Sequence, residues 1–159
     1  MTLAETFALV SFSIFSYADL RYRLVPGIEV FLFGTILLTF PATPIQTGIV
    51  LLACLWSIFR NLSGWFAIPL LFYPPVWPVL FTGYGYRKGI IGRADLFAIS
   101  GLACLFPLPA VLLSLFGLEL WRRFWVRRQT GSIPALPGMF IGLLVYIMTG
   151  NLLDRKSVV

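Results

Sequence analysis

The chain has 159 residues, of which 59% are apolar and 11% are charged. Soluble domains carry about 25% charged residues, so the composition excludes a soluble enzyme, a disordered tail and a secreted disulfide scaffold. Lys and Arg number 12 against 6 Asp and Glu, which gives a net charge of +6. In a membrane protein such an excess belongs to cytoplasmic loops, so we expect a lipid bilayer as partner and no nucleic acid.

Long uncharged runs define the fold class. They cover 30 residues between Glu29 and Arg60, 26 between Arg60 and Arg87, 23 between Asp95 and Glu119, and 25 between Arg128 and Asp154. A bilayer-spanning helix needs about 20 predominantly apolar residues. The sequence therefore predicts an all-α, polytopic membrane protein, in which residues 1–159 form a single membrane-embedded domain.

Six helices are predicted, each bounded by prolines, glycines or charged residues. Thr2 and Glu5 have the spacing of a capping box, so the first helix is expected to start almost at residue 1. No Lys or Arg precedes its apolar run, which is unlike a cleaved signal peptide. In chain order the predicted helices cover about Leu3 to Tyr17 or Asp19, Ile28 to Phe40, Ile45 to Phe59, Asp95 to Phe106, the Pro107–Pro109 turn to Trp121, and Ile133 to Thr149.

The segment from Gly64 to Thr82 does not fit this pattern. Each proline in a helix removes a backbone donor and clashes with the preceding turn, so we expect no regular helix here. A loop is predicted from Gly83 to Arg93. We expect the Pro-rich segment to be re-entrant or to lie along the membrane interface, where protein or water covers its backbone. Its four prolines are Pro69, Pro74, Pro75 and Pro78.

The distribution of basic residues favours one topology. If residues 64–82 do not cross the membrane, 10 of the 12 basic residues fall on one side, and the turns at 41–44 and 107–109 on the other side have none. The positive-inside rule makes the basic side cytoplasmic. We therefore predict a multi-pass protein of the cytoplasmic membrane. Four arginines are expected at its cytoplasmic interface: Arg122, Arg123, Arg127 and Arg128.

The sequence gives no reason to expect a metal or a cofactor. It has no His, and its two cysteines, Cys54 and Cys104, lie 50 residues apart in apolar stretches. That spacing does not suit a zinc site, and we expect two buried, unreactive thiols. No phosphate-binding loop of the P-loop kind is present.

Asp19 and Asp95 are the candidate catalytic residues. Asp19 follows an uncharged run at the inner end of the first helix, and Asp95 precedes one at the inner end of the fourth. In the predicted topology both lie at the cytoplasmic face, at a depth where ionisable residues are costly and mark functional sites. A purely structural interpretation makes Asp95 an N-cap and Asp19 an ion-pair partner of Arg21 or Arg23.

Two neighbouring carboxylates in a low-dielectric site share a proton, because both cannot ionise cheaply. One carboxylate then activates a water and the other donates to the scissile carbonyl. Such aspartyl proteolysis needs neither His nor Cys nor a metal. A different class of function stays open at this point: a small transporter or membrane assembly subunit that binds a proton or cation at the same pair.

The sequences around both residues resemble the motifs of the type IV prepilin peptidases. Residues 16–26, Ser-Tyr-Ala-Asp-Leu-Arg-Tyr-Arg-Leu-Val-Pro, resemble the first motif, an Asp followed by a Val-Pro that ends here at Pro26. Residues 92–98, Gly-Arg-Ala-Asp-Leu-Phe-Ala, resemble the second, GxGD, motif. Gly92 and Ala94 precede its Asp as in the archaeal prepilin and preflagellin peptidases. The resemblance covers about residues 10–150.

This resemblance implies that Asp19 and Asp95 are the catalytic dyad. It implies substrates that are prepilin- or preflagellin-like proteins, whose short basic leaders are cut at the cytoplasmic face. Ala94 replaces the second Gly of the family motif, Phe97 replaces the usual Lys, and Gly27 replaces the usual Asn or Asp. The Cys-rich zinc loop of many bacterial members is absent. An inactive, peptidase-like scaffold of a pilus or secretion assembly is a further alternative.

Overall fold

The computed structural model describes residues 2–23, 25, 27–126 and 133–156. No strand occurs within these ranges, which confirms the prediction of an all-α fold. Three short 3₁₀ helices lie at Gly64–Ala67, Pro69–Phe72 and Pro74–Val76. The α-helices of the described ranges are α1 (Leu3–Tyr22), α2 (Ile28–Thr39), α3 (Pro44–Ile58), α4 (Trp77–Arg87), α5 (Arg93–Leu105), α6 (Leu108–Val126) and α7 (Leu136–Lys156).

The bounds of α2, α3 and α5 agree with the sequence prediction within two residues. Helices α1, α6 and α7 extend beyond their predicted ends, to Tyr22, Val126 and Lys156, and α7 begins at Leu136 rather than Ile133. Helix α4 contradicts the sequence prediction. We expected no regular helix up to Thr82 and a loop from Gly83 to Arg93, whereas Trp77–Arg87 is α-helical. Pro78 is compatible with this helix because it lies in the first turn, where a missing N–H has no partner within the helix. The three 3₁₀ helices occupy the rest of the Pro-rich segment.

The chain divides into two compact units. The first unit comprises residues 1–26 and 109–159, and it contains α1, α7 and nearly all of α6. The second unit comprises residues 27–108, and it contains α2 to α5.

In the first unit, α7 is antiparallel to both α1 and α6. The last turn of α1 meets the start of α7, where Asp19 accepts a hydrogen bond from the Leu136 amide. The last turns of α1 and α6 also meet, since the Arg23 guanidinium lies 4.9 Å from the ring centroid of Trp125. We call this end the first basic end; its described basic residues are Arg21, Arg23, Arg122 and Arg123.

In the second unit, α5 is the central helix, and every residue from Leu96 to Cys104 is buried. The starts of α2 and α5 lie together, because Arg93 Nη2 is 3.0 Å from Glu29 Oε1. The start of α3 lies at the opposite end of α5, where Gln46 Nε2 donates to the Ala103 carbonyl at 2.7 Å. Thus α3 runs antiparallel to α5, and it ends where α5 begins.

Arg87 joins the end of α4 to the end of α3. Its guanidinium donates to the carbonyls of Trp56 at 3.2 Å and of Arg60 and Leu62 at 2.7 Å each. The chain therefore leaves the end of α3, passes through the 3₁₀ helices and returns along α4 to the end from which it left. We call this end the second basic end; its basic residues are Arg60, Arg87, Lys88 and Arg93.

We expect Arg87→Lys to destabilise the second unit. A lysine places its donors on one atom and cannot reach three carbonyls at once, and it loses the contact of the guanidinium with the Trp56 ring at 4.6 Å. Hydrogen bonds to charged groups contribute roughly 1.5–3 kcal/mol each, so we expect a loss of about 2–3 kcal/mol. Thermal unfolding in detergent measures the loss. The control Lys88→Gln, which removes an exposed neighbouring cation, should change the midpoint little.

Apolar side chains are unusually exposed in both units. Among the described residues, α1 is the helix that is long and apolar enough by itself to cross a bilayer, and 17% of its 18-residue apolar window is buried. Shorter apolar helical stretches are Ile28–Thr39, Pro44–Ile58 and Leu136–Gly150. One such long helix also occurs in soluble cores and signal sequences, so the six crossings stay a prediction.

Candidate functional site

Asp19 lies in the last turn of α1, half-buried, with its carboxylate against the start of α7. Asp19 Oδ2 accepts a hydrogen bond from the backbone amide of Leu136, the first residue of α7, at 3.2 Å. The first amides of a helix have no partner within the helix, and they form the positive end of its dipole. The Asp19 carboxylate thus acts as an acceptor for a helix distant in sequence.

The local chain conformation places Asp19 at this point. Arg23 has φ 56°, in the left-handed region, and its amide closes α1 on the Asp19 carbonyl. Arg21 donates to the Tyr17 hydroxyl at 2.7 Å, and Arg23 lies over Trp125. Neither arginine forms an ion pair with Asp19 in the described part of the chain. The direct partner of Asp19 is therefore the Leu136 amide, and the charge of Arg23 acts on the carboxylate without a contact at ion-pair distance.

Asp95 is the third residue of α5, whose N-cap is Gly92, so the interpretation of Asp95 as the N-cap is wrong. Its carboxylate turns back over this glycine: a Cβ added to Gly92 would lie 3.4 Å from Asp95 Oδ2. An acid in the first turn of a helix is stabilised by the helix dipole. The backbone of Gly92, with φ −77°, is one that any residue adopts, so a glycine here leaves space beside the carboxylate. Ala94 lies between them, half-exposed.

Arg93, two residues before Asp95 in the first turn of α5, carries a cation. The Arg93 guanidinium is 5.2 Å from the ring centroid of Phe97 and pairs with Glu29, with both side chains more than half exposed. An exposed pair of this kind contributes about 0–1 kcal/mol to stability. Phe97 itself is 5% exposed, so the ring forms part of the core while the cation above it remains accessible.

Of the motif-supporting residues, Pro26 lies outside the described residues. Gly27 is the N-cap of α2 and has φ 79°. Gly, Asn and Asp are the residues that adopt this left-handed conformation most readily.

The predicted dyad is divided between the two units. Asp19 belongs to the first unit and Asp95 to the second, and each carboxylate lies at the basic end of its own unit. No group of three or more His, Cys, Asp or Glu that could hold a metal occurs within the described ranges. Cys54 and Cys104 are buried free thiols, as expected.

Sequence reasoning missed the close packing of α6 on α7. A Cβ on Gly117 would collide with the Gly138 carbonyl oxygen, one on Gly138 would lie 2.7 Å from Leu118 Cα, and one on Gly142 would collide with the Leu113 carbonyl oxygen. Gly138 and Gly142 form a Gly-x-x-x-Gly pattern, which is typical of closely packed membrane helices. This packing fixes the start of α7, which holds Asp19.

Comparison with protein-family models, with curated proteins and with solved structures finds no match for this chain.

Proposed function

We propose that the chain is a membrane-embedded aspartyl endopeptidase of the prepilin peptidase type. It cuts the short basic leaders of prepilin- or preflagellin-like proteins at the cytoplasmic face of the cell membrane. The observation that carries the proposal is the position of the two acids: Asp19 and Asp95 are each half-buried, at a helix end, at the basic end of their unit. The positive-inside rule directs both basic ends to the cytoplasm.

The chemistry needs only these two side chains. One carboxylate takes a proton from a water molecule, whose oxygen attacks the scissile carbonyl carbon. The other aspartate, protonated, donates a hydrogen bond to the carbonyl oxygen. When the C–N bond breaks, the proton that the first carboxylate took from water passes to the leaving amine. The products are the leader with a C-terminal carboxylate and the mature protein with a free N-terminus. No metal or cofactor takes part.

Two local features support the resemblance on which the proposal rests. The left-handed φ at Gly27 explains why Gly can stand where the family has Asn or Asp, since these three residue types tolerate that conformation. At Phe97, where the family has Lys, the guanidinium of Arg93 lies over the ring. Arg93 thus supplies a positive charge near the position of the family lysine.

Co-expression with leader-bearing prepilins or preflagellins from the same genome tests the function. We expect a shift of the substrate band on a gel and a new N-terminus at the leader junction by mass spectrometry. If no leader is cut by the unmodified protein, the peptidase proposal is wrong. The scaffold alternative then leads, because the α7 amide and the α5 first turn give Asp19 and Asp95 structural roles that need no catalysis.

The topology has its own test. Ser63→Cys and Lys88→Cys flank the 3₁₀ helices and α4 at the second basic end, and Thr43→Cys lies in the turn between α2 and α3. We expect a membrane-impermeant maleimide to label Ser63→Cys and Lys88→Cys from the cytoplasmic side alone, and Thr43→Cys from the outside alone. Cys54 and Cys104 are buried and give little background. Labelling of Ser63→Cys and Lys88→Cys from opposite sides would contradict the re-entrant segment.

A further inference from the structure

An apolar groove of about 470 Å³ lies in the second unit, beside the second half of α3. The other wall comes from the chain that follows α3, including the first two 3₁₀ helices. The groove is open to the surroundings, since Leu55, Phe59 and Phe66 are 45%, 56% and 63% exposed. All its lining residues are apolar; among them are Leu55, Trp56, Phe59, Leu62, Phe66 and Pro69.

One edge of this groove is cationic. Arg60 directly follows the lining residue Phe59, and its side chain is exposed. Arg87 lies over the ring of Trp56, at 4.6 Å from the centroid, and donates to the Leu62 carbonyl. No Asp or Glu occurs between residues 30 and 94. The acids at this end of the unit are Glu29 and Asp95, at the starts of α2 and α5, and Glu29 pairs with Arg93.

We propose that this groove binds one acyl chain of an anionic phospholipid, with the phosphate against Arg60. In a bilayer no water fills an apolar groove, so a lipid chain covers it, and because lipid tails are as apolar as the groove walls, the headgroup determines which lipid is preferred. Arginine guanidinium groups bind phosphate through paired N–H donors. Basic residues at the cytoplasmic surface prefer anionic headgroups for the same reason.

A peptide fits this groove less well than an acyl chain does. An extended peptide would leave its amides unpaired against apolar walls, a cost that is prohibitive within a membrane. An acyl chain has no polar group to satisfy. The proposal requires that the chain lies in a membrane, but it does not require peptidase activity.

Photo-crosslinking of lipid tests the proposal. The purified full-length protein is reconstituted in phosphatidylcholine vesicles that contain a trace of one of two probe lipids. The probes are phosphatidylglycerol and phosphatidylcholine, each with a diazirine on its acyl chain. We expect the phosphatidylglycerol probe to label peptides of residues 52–70 about fivefold more than the phosphatidylcholine probe, as one arginine contact predicts. Unlabelled phosphatidylglycerol should compete with it, and extra phosphatidylcholine should not.

Matched variants distinguish binding of the acyl chain in the groove from binding of the headgroup at Arg60. Leu55→Trp fills the groove and should reduce its labelling severalfold, whereas Leu37→Trp, on the exposed side of α2, should not. Arg60→Gln should abolish the headgroup preference, and Lys88→Gln, with the same charge change, should leave it. Asp19→Asn should bind lipid normally, which separates this proposal from the peptidase function.

Three results would overturn the lipid site. The first is equal labelling of residues 52–70 by the two probes in the unmodified protein. The second is labelling that unlabelled phosphatidylglycerol does not reduce. The third is protection of the groove from both probes together with cross-links between two copies of the chain, which would assign the groove to a second copy.

Discussion

Asp19→Asn and Asp95→Asn should each abolish leader cleavage. Asn has the size of Asp but neither takes a proton from water nor donates an acidic proton, so each variant lacks one half of the proposed shared-proton pair. Acid–base catalysis by one such group contributes about 10²–10⁴-fold to a rate, and we expect a loss in that range from either substitution. Cleavage of a co-reconstituted leader peptide, followed over time, measures it.

The free energy of unfolding separates the proposed catalytic role of Asp19 from its structural role. In Asp19→Asn the side-chain oxygen can still accept from the Leu136 amide, so the unfolding midpoint should stay close to that of the unmodified protein. Asp19→Ala removes the acceptor and leaves a partly buried amide unpaired, which costs roughly 1–3 kcal/mol. Both variants should be inactive, but only Asp19→Ala should also have a lower unfolding midpoint.

Glu5→Gln is the matched control for these substitutions. It makes the same carboxyl-to-amide change, and Gln still completes the capping box in which Glu5 Oε2 accepts from the Thr2 amide at 2.7 Å. We expect full cleavage and full stability. If either Asp→Asn variant cleaved at a rate near that of Glu5→Gln, the aspartyl mechanism would be wrong.

The fold was predictable where local signals mark helix ends. The bounds of α2 and α3 differ from the sequence prediction by one residue at most, because Gly27, Pro41 and Pro44 bound the apolar runs and Arg60 ends the second run. Helix α4 was not predicted, because the four prolines of residues 64–82 were treated alike. Only Pro78 lies within α4, and it lies in the first turn, where a proline is tolerated. The return of α4 to the end of α3 depends on Arg87, whose acceptors lie 25 to 31 residues earlier in the chain, and local patterns do not reveal such contacts.

The candidate site was predictable in its residues but not in their partners. Acids that border long uncharged runs identify Asp19 and Asp95 from the charge pattern alone. The partner of Asp19 is a backbone amide 117 residues away, and a backbone amide leaves no signature in the amino-acid sequence. The alternative partner, Arg23, was plausible by proximity in sequence, but the left-handed conformation of Arg23 ends the helix and its guanidinium lies over Trp125.

Gly142→Ala should destabilise the first unit more than any other single methyl addition on α7. The new Cβ would collide with the Leu113 carbonyl oxygen and lie 2.7 Å from Ser114 Cα. Both contacts are with backbone atoms of α6, so the strain cannot be relieved by a side-chain rotation, and the helices must separate. Overpacking of this kind typically costs 1–3 kcal/mol and occasionally more, and we expect about 3 kcal/mol here.

Separation of α6 and α7 would also move the start of α7, whose Leu136 amide holds Asp19. We therefore expect Gly142→Ala to lower cleavage as well as the unfolding midpoint in detergent, since a displacement of about 1 Å can cost 100-fold in a positioned reaction. Gly150→Ala is the control on the same helix, because a Cβ there meets no atom within 4 Å. It should leave cleavage unchanged and raise helix stability slightly, as alanine is the better helix former. Equal midpoints for the two variants would contradict the close packing of α6 on α7.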